Sequence, residues 1–314
     1  MSRLWLVIRF VFLGACLVTF AACSASSGKH TSGDLSSSVP RVVQSGAAST
    51  AVAAKTETVS PVAGNSTATV SSSPAKLSPD VEHLSRVLSS MSARAKAVIP
   101  DGNPEEFLAD LHKVLEAEKH FRQDDLSLYY LIDKKHAVSA DYVPKDLVPL
   151  VKNDFYNISR NGLSLRPDVE RALQEMAKGA LQDGIKLMVS STYRSYDYQT
   201  KLFARYVAQD GEALAERYSA RAGTSQHQLG VAIDFGSITD EFAETRMGRW
   251  LAEHCEEYGW SLSFPKEYED VTGFMWECWH FRYIGKEACA FQKKWFGDVQ
   301  QFMIEFIDAW KTLQ

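Results

Sequence analysis

Two stretches ahead of residue 120 set apolar side chains at helical spacing. Val81, Leu84, Val87, Leu88 and Met91 form one stripe, and Phe107, Leu108, Leu111, Val114 and Leu115 form another that Asn103-Pro104 opens. Both predict packing helices. From about Asp125 the pattern changes to helices mixed with short apolar runs. Pro167 starts a helix with Val169, Leu173, Met176 and Ala180 on one face, and Gly184 stands where a left-handed C-terminal cap belongs. Residues 185–189 predict a buried strand that ends in Ser190-Ser191-Thr192-Tyr193-Arg194. Amphipathic segments follow over 198–208 and 212–222, the second closed by Gly223. Residues 231–235 predict another buried strand, 247–258 a helix capped by Gly259, and 273–283 a final strand. Residues 284–313 predict a helical extension carrying Phe291, Trp295, Phe302, Phe306 and Trp310, expected to pack on the preceding domain, with docking of a partner protein as the alternative. No Rossmann glycine fingerprint and no strict βαβ repeat is present. The pattern therefore predicts an α+β fold with a small, mainly antiparallel sheet flanked by helices.

The first 23 residues read as an export signal. Arg3 and Arg9 precede an apolar core, Phe10 to Phe20, of 11 residues. That suits a signal peptide and falls short of the ~20 residues a spanning helix needs. Phe20-Ala21-Ala22-Cys23 resembles the lipobox at which bacterial lipoproteins are cut and acylated, which predicts a lipid anchor at Cys23; Cys16 after Leu13-Gly14-Ala15 is a competing site with too short an apolar stretch behind it. Plain cleavage after Ala22 is the alternative and would give a soluble exported protein. Residues 24–78 are dominated by Ser, Ala, Thr, Val and Gly. Such a composition buries too little apolar area to offset the entropy of ordering it. It predicts a tether reaching on the order of 40 Å on average.

Composition narrows the function classes. With 45% hydrophobic and 23% charged residues, the 314-residue chain holds one or two globular domains, and its net charge of −5 makes it a poor general binder of nucleic acid. Five cysteines without a Cys-x-x-Cys pair exclude a disulfide scaffold and a zinc ribbon; Cys255 and Cys289 are a possible pair in an oxidising compartment. Cys278 reads as a core cysteine rather than a ligand or nucleophile.

Of the eight histidines, most sit among charged neighbours. Two do not. His227 lies in Ser225-Gln226-His227-Gln228-Leu229-Gly230, just ahead of the apolar run that delivers Asp234, and His280 lies in Glu277-Cys278-Trp279-His280-Phe281-Arg282-Tyr283. An aspartate closing a buried strand, and a glutamate and a histidine among aromatics, are costly to bury unless paired or bound to a metal. Zinc takes imidazole nitrogen and carboxylate oxygen, and a catalytic zinc keeps a fourth position for water, so His227, Asp234 and His280 form a candidate set for one ion with Glu277 as general base. A strict strand would put residues 277 and 280 on opposite faces, so this role demands a bend or strand end there.

Three separated blocks resemble the D-alanyl-D-alanine carboxypeptidases of the VanY type, within the group that includes lysostaphin-type peptidases and the hedgehog fold. They are Ser191-Thr192-Tyr193-Arg194-Ser195 with Gln199, the Ser-x-His-x-x-Gly-x-Ala-x-Asp block from Ser225 to Asp234, and Glu277-x-Trp279-His280-x-Arg282-Tyr283. The resemblance implies zinc on His227, Asp234 and His280, Glu277 as the catalytic carboxylate, and Arg194 contacting the scissile carbonyl or the substrate's terminal carboxylate with help from Gln199 and Ser225. Tyr193 and Trp279 are expected to line the cleft or pack beside it.

The expected organisation is a signal over 1–23, a tether over 24–78, a helical preface over 79–124, a zinc carboxypeptidase domain over 125–285 and a helical extension over 286–314. The expected activity is removal of the terminal D-Ala from peptidoglycan stem peptides by a monomeric enzyme held in the bacterial cell envelope, facing the periplasm or cell wall. An L,D-carboxypeptidase, a peptidoglycan endopeptidase and a non-catalytic cell-wall binder remain as alternatives; the last has no use for Glu277.

Overall fold

The computed structural model describes residues 78–121 and 126–313, so the predicted leader, nearly all of the predicted tether and the junction at 124/125 lie outside the described residues. Ser78 accepts from Val81 N at 3.3 Å and starts helix α1 (Pro79–Ser90). Ser92 does the same for Ala95 N ahead of the short α2 (Ala93–Val98), and Asn103 accepts from Glu105 N at the start of α3 (Pro104–Phe121). The chain then forms β1 (Val148–Pro149), β2 (Tyr156–Ile158), β3 (Ser164–Leu165), α4 (Pro167–Gln182) and β4 (Leu187–Ser191). It continues through α5 (Tyr196–Asp210), α6 (Glu212–Tyr218), β5 (Ala232–Phe235), α7 (Arg246–His254) and β6 (Trp260–Leu262). It closes with α8 (Glu269–Thr272), β7 (His280–Tyr283), α9 (Lys286–Trp295) and α10 (Gln300–Thr312).

Five strands form the main sheet in the order β2-β4-β5-β7-β6. Only β2 pairs in parallel, with β4; the other pairings are antiparallel. The fold is thus α+β with a small, mainly antiparallel sheet, as the sequence pattern predicts. Its register sets up the chemistry. Asp234 on β5 stands opposite His280 on β7 and, past an irregularity after Val189, opposite Ser191 on β4. The strand predicted over 273–283 is shorter than expected: only His280–Tyr283 is extended, and the residues before it form bends and a turn.

The helices before residue 122 and after residue 285 pack on each other, α1 against α10 and α3 against α9. Phe107 sits at their centre, with ring centroids of Phe291, Trp295 and Phe306 within 5.1 Å. Phe291, Trp295, Phe302 and Phe306 are all buried, so this aromatic face packs internally and is not a surface for docking a partner. The extension is two helices rather than one, because Gly297 (φ 59°) and Asp298 (φ 62°) turn the chain through the left-handed region. Cys255, Cys278 and Cys289 are free and buried, so the possible Cys255–Cys289 pair is not formed.

Asp298 pays for its position at that turn. Burial, followed by its contact with Glu256, raises its pKa from 3.8 to about 6, while Gln292 Nε2 donates to Oδ1 at 2.8 Å. Between those two values the folded chain holds more protons than the unfolded one, so stability falls as pH rises through the window, and the penalty is complete above about pH 6. Asp298→Asn keeps an acceptor for Gln292 and tolerates positive φ. It is expected to raise Tm by a few degrees at pH 7 and to change it little below pH 4; equal shifts at both pH values would contradict the assignment.

Candidate metal centre

His227 stands in a 3₁₀ turn, Gln226–Leu229, that Ser225 opens by accepting from His227 N at 3.3 Å and that Gly230 closes in the left-handed conformation (φ 69°). Four residues past Gly230, β5 carries Asp234 into the sheet centre, and β7 brings His280 beside it. Glu277 escapes the strand parity that would send it to the other face. Its carbonyl accepts from His280 N at 3.2 Å, closing a turn over 277–280, and its own N–H donates to Phe264 O at 3.1 Å. The Glu277 carboxylate consequently lies 3.6 Å from His280 Nδ1.

His227, Asp234 and His280 each offer one ligand atom, all within 4.8 Å of one another, and all three residues are buried. The two imidazoles meet edge to face at 4.8 Å between centroids. His227 Nδ1 faces Thr192 O at 2.7 Å, a backbone carbonyl that only accepts, so Nδ1 carries the proton and Nε2 presents a lone pair. That Nε2 has no hydrogen-bond donor, yet it lies 3.2 Å from Asp234 Oδ2, itself an acceptor. On the other side His280 Nε2 faces Gln226 Oε1 at 3.1 Å, and its Nδ1 lies 3.0 Å from Asp234 Oδ1. Acceptors thus converge on acceptors in a buried place. A cation is the species that satisfies them, and the nitrogen-plus-carboxylate donor set suits zinc.

The electrostatics follow from this arrangement. Burial pushes the pKa of His227 down to about 4, assisted by the charge of Arg194. Burial would raise Asp234, but His227 and Arg194 outweigh it and hold the carboxyl well below its usual range. Glu277 goes the other way, raised well above the usual carboxylate range by burial and then by the charge of Asp234. Two carboxylates in one site are therefore driven apart in proton affinity, one held as an anion and the other made proton-avid.

Arg194 is fixed from three sides. Its Nε donates to Ser191 Oγ at 2.9 Å, its Nη1 to Gln199 Oε1 at 3.4 Å, and its Nη2 to Asp234 Oδ2. The other expected substrate contacts are placed differently from one another. Gln199 is 1% exposed, with Nε2 donating to Ala220 O at 2.7 Å, so it orients Arg194 from behind. Ser225 is buried and its Oγ is engaged by the turn that holds His227. Tyr193 and Trp279 are half-buried, and Trp279 packs against the core while its carbonyl accepts from Phe235 N. Sequence reasoning misses Gln226, Ser263 and Gln300, which lie behind His280. A polar residue repeated at buried positions, next to a ligand in one block and on an apolar helix face in the other, is the signal that points to them.

Fold and site together define the class: an α+β domain whose central strands gather two imidazoles and a carboxylate for a single ion, with a second carboxylate against them. Residues 162–286 match the model of the VanY family, described as D-alanyl-D-alanine carboxypeptidase. YodJ of Bacillus subtilis (strain 168), whose name assigns it to the carboxypeptidases, is 34% identical over 53% of this chain and 63% of its own length. A D-alanyl-D-alanine carboxypeptidase of Enterococcus faecium is 27% identical over 58% of this chain and 59% of its own. The chain thus spans about six tenths of these relatives. Among solved structures, the LdcB LD-carboxypeptidase is 30% identical with a TM-score of 0.50, over 57% of this chain and 84% of that one.

Proposed function

We propose that this chain is an exported, zinc-dependent D-alanyl-D-alanine carboxypeptidase that removes the terminal D-Ala from peptidoglycan stem peptides, anchored in the cell envelope through Cys23. The observation that carries the reading is the convergence of His227 Nε2, His280 Nδ1 and Asp234 with a proton-avid Glu277 beside them, within the segment that matches the VanY family model. When bound there, zinc would act as a Lewis acid that polarises the scissile carbonyl and acidifies a water. The remaining work falls to side chains. Glu277 takes the proton of the attacking water at a carboxylate oxygen and returns it to the departing amine nitrogen, a role for which its raised proton affinity suits it. Arg194, locked by Ser191 and Gln199, supplies a fixed cation for the oxyanion or for the substrate's terminal carboxylate. An exopeptidase requires such a reader, and the planar guanidinium meets a carboxylate through two bonds where a lysine would offer one point charge. The apolar leader and the tether composition support export; they lie outside the described residues.

A second reading is L,D-carboxypeptidase activity on tetrapeptides, which the likeness to LdcB favours. Incubating the purified chain with stem pentapeptide and stem tetrapeptide, and identifying the released residue by mass, separates the two. Loss of one alanine from the pentapeptide alone is the expected result. Release from the tetrapeptide alone would replace it by the second reading, and release from neither would end both.

A further inference from the structure

Behind His280 lies a buried polar chain that ends on α10, outside the matched residues 162–286. Its direction can be read from its far end. Ser261 O is a backbone carbonyl and only accepts, so Gln300 turns its amide nitrogen there, Nε2 donating at 3.2 Å. Gln300 Oε1 is left facing Gln226 Nε2 at 3.5 Å, the longest link, and Ser263 Oγ at 3.2 Å. Gln226 therefore turns its oxygen to the other side, where it accepts from Ser263 Oγ at 2.7 Å and faces His280 Nε2 at 3.1 Å. Gln226, Ser261, Ser263, His280 and Gln300 are between 1% and 6% exposed, so a reversed amide would leave oxygen against oxygen without compensation from solvent.

We propose that Gln300 is a positioning residue for the metal centre: acting through Gln226, it keeps a proton on His280 Nε2 and so leaves Nδ1 as the ligand atom. Asp234 Oδ1 lies 3.0 Å from Nδ1, so both ring nitrogens face acceptors until an ion takes Nδ1, and Gln226 is what holds a proton on Nε2; the consequence for metal affinity rests on the proposed zinc site. The arrangement makes the C-terminal helix part of the site's support and not only of the core. It also matches the opposite choice at His227, where a backbone carbonyl fixes the proton on Nδ1 and leaves Nε2 to the ion.

The test uses the full chain labelled with ¹⁵N-histidine, with long-range ¹H–¹⁵N spectra recorded metal-free and with zinc, and zinc affinity measured against a competing chelator. Nε2 of His280 is expected to be protonated in both states of the parent. Gln300→Leu frees Gln226 to turn its amide, and is expected to let Nε2 lose its proton while Nδ1 keeps one facing Asp234 in the metal-free chain, and to weaken zinc binding by about tenfold, the usual scale for losing an outer-shell partner. A carboxylate accepts in either orientation, so in a Gln226→Glu background the same Gln300→Leu change is expected to leave His280 protonation and zinc affinity unaltered. A bare Nε2 in the parent, readable even where Gln300→Leu does not fold, would overturn the proposal. So would a folded Gln300→Leu chain with parental spectra and affinity. A protonated Nε2 in a chain that binds no zinc would sink the metal reading and leave the proton assignment standing.

Discussion

Glu277→Gln is expected to slow release of the terminal residue by about 10²–10⁴-fold while zinc content and fold stay as in the parent. The substitution keeps size and leaves His227, Asp234 and His280 in place, but an amide cannot accept the proton that the attacking water must shed. Its burial supports the second half of the expectation. Glu277 is 8% exposed and its proton affinity is raised, so exchanging it for a neutral amide removes no stabilising charge, and the melting temperature should hold or rise. Steady-state kinetics on the stem peptide and metal analysis of the same preparation check both halves. A variant with parental turnover would show that the proton leaves by another route and that Glu277 is not the base.

His227→Ala is expected to do more. It removes Nε2, a buried lone pair without a hydrogen-bond donor, and leaves Asp234 facing only Arg194 and His280. Zinc content should fall to background and peptide release below detection. The two variants thus separate the roles, one losing turnover with the ion retained and the other losing both. Linkage offers a second readout: zinc that binds only the folded chain raises the parent's Tm with concentration, and this response should vanish in His227→Ala. A variant that still takes up stoichiometric zinc would remove His227 from the ligand set.

The sequence makes some of this plain and hides the rest for identifiable reasons. His227 and Asp234 are legible because a single block joins them: a turn closed by Gly230 feeds a strand whose apolar neighbours, Val231 to Ile233, announce burial. Glu277 and His280 are legible as chemistry but not as geometry. Their spacing contradicts a strand, and the resolution is a turn held by Phe264 O, a partner 13 positions upstream that no local pattern reports. Strands β2 and β6 have three residues each, too few to show period-two alternation, and β2 owes its existence to pairing with β4. The break between α9 and α10 left a trace in Gly297, yet the apolar periodicity on either side reads as continuous. Gln300 is the extreme case: its partners Gln226 and Ser263 lie 74 and 37 residues away, and only the folded chain brings them together.

The same distinction explains the expected substrate contacts. Residue type marks Arg194, Gln199 and Ser225 as one group, and in the fold Arg194 contacts Asp234, Gln199 contacts Arg194, and Ser225 caps the turn that carries His227. It does not say which of them faces outward. Burial assigns Gln199 and Ser225 to the support of Arg194 and His227, and leaves Arg194, with 17% of its side chain exposed, as the member that reaches solvent.

Anomalous diffraction at the zinc absorption edge, from crystals of the full chain grown with zinc, tests the central assignment most directly. One peak per chain is expected, in contact with His227 Nε2, His280 Nδ1 and a carboxylate oxygen of Asp234, with Glu277 next to it and not bound. A peak away from these atoms, or one in contact with His280 through Nε2, would contradict it.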